Sequence, residues 1–248
     1  MIIALLRIVF VFLWIPFGLF LGIIFLAWVN PFYPHVLVIE QWWLRQLVRI
    51  LGFKIQVEGQ TIQQDHIAMI NHITWMDPLI LSSQKVRSYL VKAEVQSWPV
   101  IGELVKMMGC LFIQRGKGQV YERLEQISQI IHNGHSVGVF PEATTSDGSH
   151  VIPFASPLFR VVSEKQCPLQ LVGIYYPNPN GSGVHPAIPF IGEQSFVENL
   201  VNIAKASNKT VIIRYFDFTP EPGETAETLA HRAYSVINDW VANFNEPQ

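Results

Sequence analysis

Apolar and polar positions divide this chain into an almost wholly apolar front and a remainder with alternating periods. Ile8 to Val29 runs 22 residues without a charge. As a helix rising about 1.5 Å per residue it reaches about 33 Å, enough to cross a hydrocarbon core of about 30 Å. The competing reading is a cleaved leader. The run is long for a leader core, and LAWVNPF offers no A-x-A site. A retained membrane anchor is therefore expected. Pro16, Gly18 and Gly22 lie inside the run and allow a kinked or re-entrant helix pair as well as a straight span. Trp28, Phe32 and Tyr33, then Trp42 and Trp43, suit an aromatic belt at a membrane interface.

Behind the front the pattern changes period. Residues 36–52 set Val36, Ile39, Trp43, Leu47 and Ile50 among Glu40, Arg45 and Arg49, which predicts an amphipathic helix at the membrane surface, ended by Gly52. FKIQVEG at 53–59 alternates strictly and predicts a half-buried strand. HIAMI is a short buried strand, and Asp77-Pro78 opens a helix. Further predicted elements are a strand at 89–91, a helix from Trp98 to Met108 ended by Gly109, and a strand at 110–113. A helix from Val120 to Asn133 follows, closed by Gly134, then strands at 137–140, 169–176 and 210–218 and a last helix from about Thr225 to Phe244. Strands alternating with helices predict an α/β fold, a largely parallel mixed sheet flanked by helices, with functional residues at the carboxyl ends of strands. The Pro/Gly-rich loop 176–186 reads as a lid or a surface excursion.

Composition narrows the function classes. Half of the residues are hydrophobic and 15% are charged, and the net charge is −2, so no basic balance points to nucleic acid. The two cysteines, Cys110 and Cys167, are too few for a disulfide scaffold and read as reduced thiols. Arg7 flanks the apolar run on one side, and Arg45, Arg49 and Lys54 follow on the other. That favours a cytosolic face for the main domain.

The candidate chemistry lies just after predicted strands. In NHITWMDP, His72 and Asp77 are five residues apart. A carboxylate that orients an imidazole makes it a general base. Residues i and i+5 lie about 140° apart around a regular helix, so a turn has to bring the two together. No Ser or Cys elbow accompanies the pair, so the substrate would supply the nucleophile. The plainer readings are a hydrogen-bonded turn histidine and an N-capping aspartate ahead of Pro78. Downstream, GCLFIQR ends in Arg115, and FPEATTS carries Glu142, Thr144 and Thr145, also after strands. Alone, each of these would read as a solvated strand end or turn residue. A metal site is not expected: one His and one Asp fall below the usual ligand count, and His66, His132 and His135 lie in unrelated settings.

In this order and at these separations the three segments resemble the glycerolipid acyltransferases, the lysophosphatidate acyltransferase family. The family patterns are N-H-x4-D, G-x-x-F-I-x-R and F-P-E-G-T-R-S. The first two match completely, and the likeness covers roughly residues 40 to 220. It implies transfer of a fatty acyl group from acyl-CoA or acyl carrier protein, as co-substrate, to the hydroxyl of a lyso-lipid. It implies no metal or other cofactor. His72 and Asp77 would be catalytic. Arg115, Glu142, Thr144 and Thr145 would bind the acceptor, and Lys92 the donor, unless Lys92 is simply a solvated strand-end lysine. The implied organisation is a membrane anchor and interfacial helix over 1–50 and a catalytic domain over 51–248. Partners would be the bilayer, the lyso-lipid and the thioester donor. Ala143 and Thr145 stand where the family has Gly and Arg, and in a later apolar-Pro block of the family Pro168 is kept while Leu171 stands where a second Pro is expected. Losing that Arg removes a cation from the acceptor's phosphate site, and the run PEATTSDG followed by IPF resembles the branch that acylates other lyso-lipids, lyso-ornithine lipid among them, so the acceptor stays open between a 1-acylglycerol-3-phosphate-like lipid and these. An acyl-thioester hydrolase and a non-catalytic lipid-binding relative are the readings from other classes.

Overall fold

The computed structural model describes residues 2–25, 27–84, 86, 88–114 and 120–245. Helices α1 (Ile2–Ile24) and α2 (Pro34–Ile50) precede strands β1 (Phe53–Glu58) and β2 (Ile67–Ile70). Then come α3 (Met76–Ser82), β3 (Ser88–Lys92), α4 (Ile101–Met107), β4 (Leu111–Ile113), α5 (Val120–His132) and β5 (Val137–Val139). The chain closes with α6 (Arg160–Ser163), β6 (Leu169–Tyr175), α7 (Phe196–Lys205), β7 (Lys209–Phe216) and α8 (Ala226–Ala242). Short 3-10 turns occupy Ala93–Ser97 and Ser156–Phe159.

The strands form one sheet in the order β1-β7-β6-β2-β5-β3-β4. Neighbours pair in parallel except β6 and β7, which are antiparallel, so β1 and β7 run against the other five. The expected largely parallel mixed sheet is present. β2 and β6 are buried along their whole length, as strands covered on both faces must be. Alternate residues feed two cores. Ala68, Ile70, Val172 and Ile174 pack with α1, α2, α3, α4 and α7. Ile67, Met69, Leu169 and Leu171 pack with α5, α6 and α8 on the other face.

The front differs from the sequence expectation in register. α1 starts at Ile2, six residues before the charge-free run, and takes Arg7 inside the helix. The cation is tolerated because its guanidinium donates to the carbonyls of Ala204 and Ala206, at 3.0 Å each, at the end of α7. α1 buries only a narrow stripe, Ala4, Val11 and Gly18, and leaves Phe12, Leu13 and Phe20 exposed. Trp14 and Trp43 exchange indole-to-carbonyl bonds of 3.1 and 3.0 Å, tying α1 to α2. Gly18 is required there: a Cβ would lie 2.4 Å from the Trp43 ring. The helix expected from Trp98 begins at Ile101, since Pro99 holds Trp98 in extended backbone. The loop after β6 is a packed excursion, closed by a Pro177–Val184 bridge and held by the Gly183 amide on the Phe244 carbonyl, 3.1 Å.

Candidate active site

The carboxyl ends of β2, β5, β3 and β4 lie side by side, because these parallel strands are successive neighbours. His72 follows β2, Glu142 follows β5, and Lys92 ends β3. Between β2 and β6 the Asn71 amide makes a two-way clip. It donates to the Ile174 carbonyl at 2.9 Å and accepts the Ile174 amide at 2.8 Å. That fixes the strand end from which the next residue, His72, projects.

Residues 71–75 turn back so that Asp77, in the first turn of α3, closes over them. Asp77 Oδ2 accepts the amides of Ile73 (2.7 Å) and Thr74 (2.9 Å) and lies 2.8 Å from His72 Nδ1. This is the turn that the five-residue spacing demands. An oxygen already accepting two amides has no proton to give, so Nδ1 carries the hydrogen and Nε2 is left as an acceptor. The other carboxylate oxygen, Oδ1, accepts the Tyr176 hydroxyl at 2.6 Å. Asp77 is fully buried, while the His72 side chain keeps 19% of its surface. The imidazole stacks on Phe140, centroids 4.0 Å apart, and Phe140 stacks in turn on Tyr89.

The His72 backbone is gripped from the loop after β5. Glu142 Oε1 accepts its amide at 2.6 Å, and Ser146 donates its amide to the His72 carbonyl at 2.8 Å. Glu142 Oε2 accepts the Ile152 amide at 2.8 Å. The Glu142 carboxyl is buried, and burial pushes its pKa up to about 8; its two amide bonds oppose the shift, and the charge of Asp77 adds to it. Thr145 donates its hydroxyl to the Phe190 carbonyl, and the Phe190 amide binds the Ile73 carbonyl at 3.0 Å. Thr144 is exposed, and so is Lys92, which pairs in register with Ile113 of β4. Arg115 lies outside the described residues.

The structure thus joins His72, Asp77 and Glu142 in one network and ties Thr145 to its edge, with Thr144 and Lys92 at the surface. Sequence reasoning missed Asn71, Ser146, Phe140 and Tyr176 as members. The first three lie in or beside the motif segments and could have been found there. Tyr176 is 99 residues from Asp77 and carries no local signal.

Ala143 adopts φ +57°, the left-handed region that glycine favours. An L-residue pays about 1 kcal/mol there, and the exposed methyl recovers little by packing. Ala143→Gly is therefore expected to raise the thermal unfolding midpoint by about 1–3 °C, the glycine's extra chain entropy taking back part of the gain. A lower midpoint in calorimetry would contradict this.

Comparison with known proteins shows the family and the fold. The family model described as Acyltransferase matches residues 54–175, the span that holds both His72 and Glu142. A lyso-ornithine lipid O-acyltransferase of Pseudomonas aeruginosa is 30% identical over 200 residues, 80% of this chain and 76% of that protein. A 1-acyl-sn-glycerol-3-phosphate acyltransferase of Neisseria gonorrhoeae is 28% identical over 141 residues, 56% of this chain and 55% of that one. The crystal structure of the 1-acyl-sn-glycerophosphate acyltransferase of Thermotoga maritima superposes with a TM-score of 0.66 at 17% identity. It covers 100% of this chain and 96% of that one, a likeness of fold. The protein belongs to the acyltransferase family and is an acyltransferase.

Proposed function

We propose that this protein moves a fatty acyl chain from acyl-CoA or acyl carrier protein to the hydroxyl of a lyso-lipid at a membrane surface. His72 acts as general base and Asp77 as its orienting carboxylate. One observation carries this reading: His72 Nδ1 is committed to Asp77, so Nε2 of a part-exposed ring is the acceptor. The lipid hydroxyl attacks the thioester carbonyl while Nε2 takes its proton. The imidazolium charge is met by Asp77 at 2.8 Å. The tetrahedral intermediate then collapses, the C–S bond breaks, and the departing thiolate recovers the proton from Nε2. Ester and thiol are the products, and the sequence of steps consumes no cofactor.

Glu142 serves this chemistry through the backbone of His72, which its bond to the His72 amide supports. By their motifs Arg115 is the acceptor's anion-binding group and Thr144 and Thr145 are further acceptor-binding residues, and Lys92 meets the phosphates or acidic face of the donor. The acceptor we favour lacks a phosphate monoester, with lyso-ornithine lipid first. Two things support it: Thr145 is uncharged where the family carries Arg, and the Pseudomonas relative bears that name. Thr145→Arg is expected to shift the ratio of rates toward lysophosphatidate by about tenfold, the scale of one hydrogen bond to a charged group. Membranes holding wild type or Thr145→Arg, given labelled donor and both lyso-lipids, test this. Wild-type preference for lysophosphatidate would overturn the choice of acceptor.

We further propose that α1 lies in the plane of one leaflet. It is long and apolar enough to cross a membrane. Yet contacts from Arg7 to Gly18 hold it along α2 and α7, which supports a helix lying on the domain. The flanking Arg45, Arg49 and Lys54 support a cytosolic face.

A further inference from the structure

We propose that Tyr176 is a positioning residue for acyl transfer, acting through Asp77: its hydroxyl, 2.6 Å from Asp77 Oδ1, fixes the carboxylate so that Oδ2 faces His72 Nδ1. This rests on the reading of His72 as general base. The acyltransferase motifs leave the residue unassigned, since it lies just beyond β6, 99 residues from Asp77. The phenol is held by its surroundings and by the backbone that carries it. The ring is fully buried and meets Phe53 edge-on at 6.0 Å. The Tyr176 carbonyl accepts the His185 amide at 2.8 Å. The hydroxyl therefore has one fixed direction, toward the carboxylate. Burial, then the adjacent charge of Asp77, pushes the phenol well above its ordinary range, so it remains a proton donor across the working pH.

The donor has two consequences of opposite sign. It prevents rotation of the carboxylate about its Cβ–Cγ bond, keeping Oδ2 on the imidazole. It also withdraws negative charge from Asp77, which limits how strongly the carboxylate favours the imidazolium. Removing the hydroxyl should slow transfer and make His72 harder to deprotonate. Stability alone would not produce the second effect. Among the described residues, the titratable groups facing the pair are Glu142 from the β5 loop and Tyr176 itself. Neither test below alters Glu142, so its own titration is common to all profiles.

The test compares pH profiles of acyl transfer by the full-length protein in detergent–lipid micelles, with labelled acyl donor and a saturating lyso-lipid acceptor. Tyr176→Phe is expected to lower kcat by about tenfold, the scale of one hydrogen bond to a charged group. KM should change little, and the acidic limb should move to higher pH. In an Asp77→Asn background the same change should cost almost nothing more, since the two act as a unit. An unmoved limb, or an equal loss in both backgrounds, would overturn the proposal. Should Tyr176→Phe not fold, 3-fluorotyrosine at position 176 decides. It is a stronger donor of nearly the same shape, and should move the limb to lower pH; an unmoved limb again overturns the proposal. Retained turnover in a His72→Ala enzyme would instead remove the general-base reading itself, a result separate from either of these.

Discussion

His72→Ala is expected to lower acyl transfer by about 10³-fold or more while leaving the fold in place. A lipid hydroxyl holds its proton far above neutral pH, so attack on a thioester needs a base in position, and such a base contributes about 10²–10⁴-fold. Among the described residues the side chains joined to the His72 network offer no substitute. Asp77 is fully buried behind the ring, and both Glu142 oxygens are taken up by backbone amides. The structural cost is small by comparison. Alanine removes one of four donors to Asp77 and exposes a face of Phe140, leaving the amides of Ile73 and Thr74 and the Tyr176 hydroxyl in place. A destabilisation of about 1–2 kcal/mol follows, short of unfolding. Rate and unfolding midpoint measured on one preparation separate the two effects.

Asp77→Asn should cost about 10³-fold, and Asp77→Ala should cost the fold itself. The amide has one oxygen. Placed at the Oδ2 position, it still accepts Ile73, Thr74 and His72, while its NH2 meets the Tyr176 oxygen, which can accept. The reverse flip would set NH2 against two backbone amides. The favoured flip therefore keeps the imidazole aimed and removes only the charge that meets the imidazolium. Asp77→Ala instead leaves the Ile73 and Thr74 amides and a buried phenol with no acceptor, a loss of about 3–5 kcal/mol. A well-folded, slow Asp77→Asn beside an unstable Asp77→Ala is the expected pair of results in circular dichroism and turnover. Equal activity of Asp77→Asn and wild type would contradict the role of the charge.

Much of this was legible in the chain because it is local. The strict alternation of Phe53 to Glu58 marks β1, the apolar run to Ile70 marks β2, and the motif spacing places His72 and Glu142 after strands. What escaped was set by distant contacts. β7 runs antiparallel to β6, and no residue within either strand encodes that direction. α7 had a local signal, Ser195 capping Glu198 at 3.2 Å with an acidic residue three positions on, and that cap could have located it. The start of α1 escaped because Arg7 looked like a flank; only the carbonyls at the end of α7 make it a helix interior residue. Within the site, the spacing of His72 and Asp77 stated that a turn was needed but not what would hold it. The two amides and the phenol on Asp77, and the grip of Glu142 and Ser146 on the His72 backbone, come from three separate strand ends.

The most direct measurement gives membranes containing wild type or His72→Ala a thioester labelled in its acyl chain, together with a lyso-lipid, and follows the label. The expected result is label in the diacyl product with wild type and none above background with His72→Ala. Product formed equally by both proteins, or label released by wild type only as free fatty acid, would contradict general-base acyl transfer at His72.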